Sequence, residues 1–202
     1  MADRISTKEH ARIKREKREL KKDILNGISI LNNKLETFDC AIISSKNSKV
    51  SDNENLRRFT KLQYQSVDKG YLDFVIKANS KESKEYRVPR LYPEDINNSV
   101  QCLVDFKGNE NLEKLLISWA KEYEQGSVLF SPVEGNAVEI EINGETVSKR
   151  EITGFNKLTV CSDYIGKLLE KPFKFEDALI QEFPQPVNIM GKWYFNSLAK
   201  SL

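Results

Sequence analysis

The alternating run AVEIEINGETVSKREI at 137–152 restricts the fold more than any other stretch of this chain. In an extended chain Val138, Ile140 and Ile142 fall on one side, and Asn143–Gly144 is a dipeptide favoured in type I′ turns. A two-residue loop there sets Val147 opposite Ile140, so that both arms share an apolar face. A hairpin commits the sheet, at least locally, to antiparallel pairing.

Helical periods surround this hairpin. In NENLEKLLISWAKEYEQG, Leu112, Leu115, Leu116, Trp119, Ala120 and Tyr123 line one face. Asn109 or Asn111 suits the N-cap, and Gly126 stands where a left-handed residue ends such a helix. LRRFTKLQYQ (56–65) carries Leu56, Phe59 and Leu62 at helical spacing. Ser162 or Asp163 is placed to cap YIGKLLE, which Pro172 stops. YLDFVIKA (71–78) alternates instead, with Leu72, Phe74 and Ile76 on one face and Tyr71, Asp73, Val75 and Lys77 on the other. It pairs, in this reading, with EYRVP (85–89) across a polar turn. SVLFS reads as a further strand, and EDINNSVQCLVDF as a helix from Glu94. The aromatic, proline-rich tail (PFKF, EFPQPV, KWYF) is expected to pack over the sheet, because so many aromatics are costly to expose.

The N-terminal segment reads as one helix of about 30 residues, with Asp39 just past its end. At 100° per residue Ile13, Leu20, Ile24, Ile28, Leu31, Leu35 and Phe38 fall in an arc of about 80°. Ser6 or Thr7 suits its start. The stripe is narrow, closer to a coiled-coil seam than to a broad core face, and Lys17 interrupts it before Leu20. The helix should therefore be anchored from Leu20 onward, with its basic turns projecting beyond the anchor. Gly27 either weakens it or permits a close crossing. The expected fold class is α+β: a long N-terminal amphipathic helix, then a mixed domain with a mainly antiparallel sheet and several short helices. The division expected is a helical arm over 1–43, a polar loop or linker over 44–55 (SSKNSKVSDNEN), and an α+β domain over 56–202.

Charge is concentrated in the arm. The chain of 202 residues has a formal charge of only +2, yet residues 8–22 hold Lys8, Arg12, Lys14, Arg15, Lys17, Arg18, Lys21 and Lys22 against Glu9, Glu16 and Glu19. That local +5 leaves −3 for the remainder. Phosphate contact is one reading, since each Lys or Arg that neutralises a backbone charge releases counterions. A solvated helix face is the other: Glu16 and Glu19 lie four residues from Arg12 and Arg15, and interspersed glutamates repel phosphate. On that ground the solvated face ranks first. A basic segment ahead of an apolar seam has the outline of a basic zipper, but the seam is too short and irregular for that.

Little else carries chemistry. Cys40, Cys102 and Cys161 stand about sixty residues apart, near no CxxC pattern, and read as reduced structural thiols. The one histidine, His10, lies in the basic stretch, which argues against a histidine-based metal site or a Ser/Cys–His pair. Asp105, Lys107 and Glu110, or Glu139 and Glu141, are the carboxylates from which a metal-dependent nuclease would have to be built. FSPVEGN lacks both Gly-rich phosphate-loop patterns and reads as a turn. KWYF could stack bases beside Lys192 but more readily completes a core. Lys149 and Arg150 form a small basic pair on the hairpin. No catalytic residue, metal ligand or cofactor is assigned.

MADRIS has no signal-peptide pattern and no apolar run reaches membrane-spanning length, so a cytoplasmic protein without a membrane partner is expected. The Lys-, Asn- and Ile-rich composition suits an AT-rich bacterial or phage genome. The leading functional expectation is a non-enzymatic adaptor or inhibitor engaging a macromolecular partner. Its arm would serve self-association, as in a homo-oligomer, or docking through Leu20, Ile24, Ile28, Leu31 and Leu35. A DNA- or RNA-binding protein using the eight basic residues is the second, and a metal-dependent nuclease the third.

Overall fold

The computed structural model describes residues 7–78, 93–108, 111–154, 156–182, 186–189 and 192–195. The chain is α+β. Seven strands form one antiparallel sheet: β1 (Cys40–Ile43), β2 (Leu72–Lys77), β3 (Ser99–Val104), β4 (Ser127–Ser131), β5 (Ala137–Asn143), β6 (Thr146–Ile152) and β7 (Leu179–Glu182). Their spatial order is β6-β5-β4-β1-β3-β2-β7. β8 (Pro186–Ile189) and β9 (Lys192–Phe195) pair separately as a two-stranded ribbon, and β9 is the KWYF segment.

Helices cover both faces of the sheet. α1 (Thr7–Thr37) and α4 (Lys157–Leu168) pack on one, α2 (Asp52–Asp68) and α3 (Leu112–Glu122) on the other. Strand alternation produces the two cores. On β1, Cys40 and Ile42 join Leu31, Leu35, Val160 and Ile165, whereas Ala41 and Ile43 join Leu62, Leu116 and Trp119. Residues 40–43, placed with the arm in the sequence reading, thus form the central strand, bonded to β3 on one side and β4 on the other.

The hairpin forms with one change. Its pairs are Asn143↔Thr146 and Ile142↔Val147, so the two-residue loop is Gly144–Glu145, not Asn143–Gly144. Gly144 has φ +61° and Glu145 is not in the left-handed region, the pattern of a type II′ turn with glycine first. Val147 consequently faces Ile142 and not Ile140. Because the slip moves the pairing by an even number of residues, the shared apolar face survives: Val138, Ile142 and Val147 all pack on the α3 side.

Other expectations need correction. EDINNSVQCLVDF is not a helix: Pro93–Asn98 makes a short 3-10 turn, and Ser99–Val104 is β3. Every residue of β3 is buried, and a strand covered on both faces loses the alternation that would reveal it. α4 begins at Lys157, capped by Asn156 Oδ1, which accepts from Thr159 N–H at 2.7 Å. The left-handed residue after α3 is Glu124 (φ 53°) and not Gly126. EYRVP lies outside the described residues.

The polar segment after β1 is tied down. Asn47 N–H donates to Asn55 Oδ1 at 2.8 Å, and Asn55 Nδ2 returns a bond to Asn47 O at 3.0 Å. Arg58 Nε donates to Ser45 O at 2.9 Å and its guanidinium reaches Tyr123 O at 2.5 Å. Ser51 caps α2 through Glu54 N–H, so the helix takes in residues 52–55.

Candidate functional site

Three regions gather chemistry-bearing residues: the outer surface of α1, a buried polar group under α2, and two buried clusters on the opposite sheet face. α1 is anchored by its second half. Ile24, Leu31 and Leu35 are buried and Ile28 half-buried, against β7, the 175–177 turn and α4. A Cβ added at Gly27 would lie 3.1 Å from both Ile180 Cβ and Ile180 O, so the missing side chain is what lets helix and strand approach so closely. The apolar seam from Ile24 onward is thus occupied by the chain's own body. The side chain of Leu20 lies outside the described residues.

Before Ile24 the described side chains are exposed: Arg12, Lys14, Arg15, Arg18, Glu19, Lys21 and Lys22. Arg15 Nε pairs with Glu19 Oε1 at 2.9 Å, with both groups in solvent, a pair of small energetic weight. Lys8 and Lys17 belong to the same helix, their side chains outside the described residues.

Among the described residues the candidate carboxylates do not converge. Glu139 is buried on the α4 side of β5 and ion-paired twice, with Arg150 of β6 at 2.5 Å and with Lys167 of α4. Burial alone would raise its pKa; the Lys167 and Arg150 contacts outweigh that and hold the carboxyl below its ordinary range. Glu141, on the same strand, is exposed. Asp105 is buried at the end of β3 and accepts from Lys107 N–H at 3.3 Å, while Glu110 lies outside the described residues. Among the described residues no three His, Cys, Asp or Glu side chains group as a metal site would require. Lys149, the other half of the hairpin's basic pair, bridges to Glu113 of α3 at 2.5 Å.

The sequence reading missed two groupings. Cys40, Cys102 and Cys161, far apart in the chain, are all free and buried in the core beneath α1 and α4. Cys40 and Cys102 lie diagonally across β1 and β3, since Ile42 is the residue opposite Cys102. The Cys102 thiol is pushed well up by its hydrogen bond with Cys40 and by burial, and burial pushes Cys161 up. The result is unreactive thiols that pack as small apolar groups.

The second grouping is Asp73, Gln101 and Ser66, all buried between the sheet and α2. Gln101 Nε2 donates to Asp73 Oδ2 at 2.8 Å, and Ser66 Oγ lies 3.1 Å from the same oxygen. Burial raises the Asp73 carboxyl to about 7 even though both hydrogen bonds favour the ionised form. Alternation had put Asp73 on the second face of its strand; that this face is covered is visible only once α2 is placed.

Among the described residues no helix is long and apolar enough to cross a membrane. Comparison of the chain with protein-family models, with curated proteins and with solved structures finds no match.

Proposed function

We propose that the protein is a non-enzymatic binding protein that engages a macromolecular partner through the exposed turns of α1 ahead of Ile24. One observation carries this reading: α1 continues from its anchor into a stretch whose described side chains, Arg12 to Lys22, are all exposed and mostly cationic. A helix gains most of its stability from packing an apolar face, and the described side chains of these turns contribute none of it. The seam that self-association would have used is filled from Ile24 onward by β7 and α4, which favours docking over a coiled-coil dimer. A nuclease built on Glu139 has little support, because that carboxylate already binds two cations.

The test is immobilised full-length chain beside the variant Lys14→Gln, Arg15→Gln, Arg18→Gln, Lys21→Gln, Lys22→Gln. Both are challenged with duplex DNA, duplex RNA, poly-glutamate and phosphatidylserine vesicles. Retention of at least one class by the native chain, lost in the variant, is the expected result. Equal behaviour of the two chains towards every class would remove α1 as the contact element.

A further inference from the structure

We infer that the partner is the phosphodiester backbone of a nucleic acid, held without regard to base sequence by one face of α1 made of Lys14, Arg15, Arg18, Lys21 and Lys22. This rests on the reading of α1 as the contact element and specifies what it contacts.

The angular arrangement of charge on the helix carries the inference. At 100° per residue these five positions fall within an arc of about 120°. The positions of Glu9, Glu16 and Glu19 fall within a separate arc of about 80°, centred about 140° round the helix from the middle of the basic one. The positions of Glu9 and Glu16 therefore fall on the far side of the helix from the basic arc, whereas Glu19 borders it and pairs with Arg15 at 2.9 Å. Repulsion of phosphate by Glu9 and Glu16 thus applies to the other side of the helix, and the exposed Arg15–Glu19 pair is weak enough for Arg15 to exchange it for a phosphate.

Burial in the second half of α1 fixes which way the basic arc faces. Ile24, Gly27, Leu31 and Leu35 are buried and define the side turned to the body. Leu25, Ser29 and Glu36 continue the basic arc along the helix and are exposed, Leu25 at 53%. The same 100° step then turns Lys14, Arg15, Arg18, Lys21 and Lys22 away from the body, in agreement with the exposure of all five. From Lys14 to Lys22 the stripe spans about 12 Å of helix axis. A duplex of that length carries about seven phosphates, so five cations match its charge density.

The chemistry of the stripe separates this partner from other anions. Within the arc from Lys14 to Lys22 there is no apolar residue, and its continuation adds a single exposed one, Leu25. A protein interface needs buried aromatic or aliphatic anchors, and a membrane-surface helix needs an apolar face beside its cations. Phosphate neutralisation needs only the cations. The rest of the chain sums to −3, so the excess of positive charge lies in this helix.

The experiment is fluorescence anisotropy of the full-length chain on two duplex DNAs of unrelated sequence and one duplex RNA, between 50 and 200 mM salt. Phosphatidylserine vesicles and poly-glutamate are measured as competitors. Five phosphate contacts give a log–log salt slope near −4.5, about a 500-fold loss of affinity over that range, equal for the two DNAs. The five-fold Gln variant should keep its denaturation midpoint and lose the slope. A second variant, replacing the exposed body residues Lys49, Lys69, Lys114 and Lys174 by Gln, should change affinity less than about threefold. Vesicles or poly-glutamate bound as tightly as the duplexes at equal salt would overturn the nucleic-acid assignment and leave α1 as the contact element. Unaltered binding by the five-fold variant, or no binding to any polyanion at 50 mM salt, would overturn both.

Discussion

Gln101 on β3 donates from Nε2 to Asp73 Oδ2 on the adjacent β2 across 2.8 Å, in a layer where neither side chain meets solvent. Ser66 Oγ approaches the same oxygen from α2, so the two bonds to Oδ2 leave Oδ1 as the place for a proton. With its pKa near 7 in the folded chain against 3.8 for the free side chain, Asp73 retains that proton after the unfolded chain has lost it. The sign follows from linkage. Stability from this group is complete below about pH 4, falls as pH rises towards 7, and is flat above, for a total of roughly 4 kcal/mol. Asp73→Asn keeps the shape, removes the titration, and should leave the protein more stable than the native chain at pH 8. Urea midpoints at pH 5, 6.5 and 8 measure this; parallel pH profiles for the two chains would show that Asp73 is ionised in the fold.

Glu139 is the opposite case, a buried carboxylate kept charged by Arg150 and Lys167, one from the hairpin and one from α4. Both cations keep more than half their surface in solvent, at 65% and 54%, so they can rehydrate if the carboxylate is removed. Glu139→Gln should therefore cost about 1–3 kcal/mol, less than the loss of a partner that strands a buried charge. The depressed pKa contributes stability that is present above about pH 5 and disappears as pH falls through the folded value. Guanidinium titrations at pH 7 and pH 4 check both statements. The native chain, incubated with DNA and Mg²⁺ or Mn²⁺, should show no Glu139-dependent cleavage; cleavage abolished by Glu139→Gln would revive the nuclease.

The three thiols make a kinetic prediction. Cys40, Cys102 and Cys161 sit in one core with at most 1% of their surface exposed, so a disulfide reagent has no access to any of them, and the Cys102 and Cys161 thiols are also pushed up. All three should be labelled together, at a single slow rate set by opening of the whole domain, and at once in 6 M guanidinium (about the concentration that unfolds most domains). A cysteine labelled within seconds under native conditions would mean that α4 lifts from the sheet on its own.

How much of this was legible in the sequence differs from element to element. The hairpin was readable because alternation and a turn dipeptide agree, and an even-numbered slip cannot change which side chains share a face. β3 was not, since VQCLV is covered on both faces and carries no period. The start of α4 was missed because Asn156 caps it eight residues before YIGKLLE begins at Tyr164. Cys40 and Cys102 converge through long-range strand pairing and Cys161 through the packing of α4 on the sheet, on which local pattern is silent. Asp73 looked like a solvated residue on a half-buried strand, because whether α2 lies over it depends on topology. For α1 both charge sectors were already present in the 100° step, but the side facing the body is known only from the burial of Ile24, Leu31 and Leu35.

That difference between the two halves of α1 gives a prediction about dynamics. From Ile24 to Thr37 the helix is held by Leu31 and Leu35 in the core, and its amides should exchange only through opening of that core. From Arg12 to Lys22 the described side chains are exposed, and an isolated helix of that length is marginal in water. Amides of residues 12–22 should therefore exchange at least about a hundredfold faster than those of residues 28–37. Adding duplex DNA at 50 mM salt should slow exchange in residues 12–22, and 200 mM salt should reverse the effect, because cations bound to phosphate hold turns whose described side chains all lie in solvent. Mass spectrometry of peptic fragments resolves the two halves. Protection that is uniform along α1 without nucleic acid would mean that the first half is packed after all, and that its cations serve the fold.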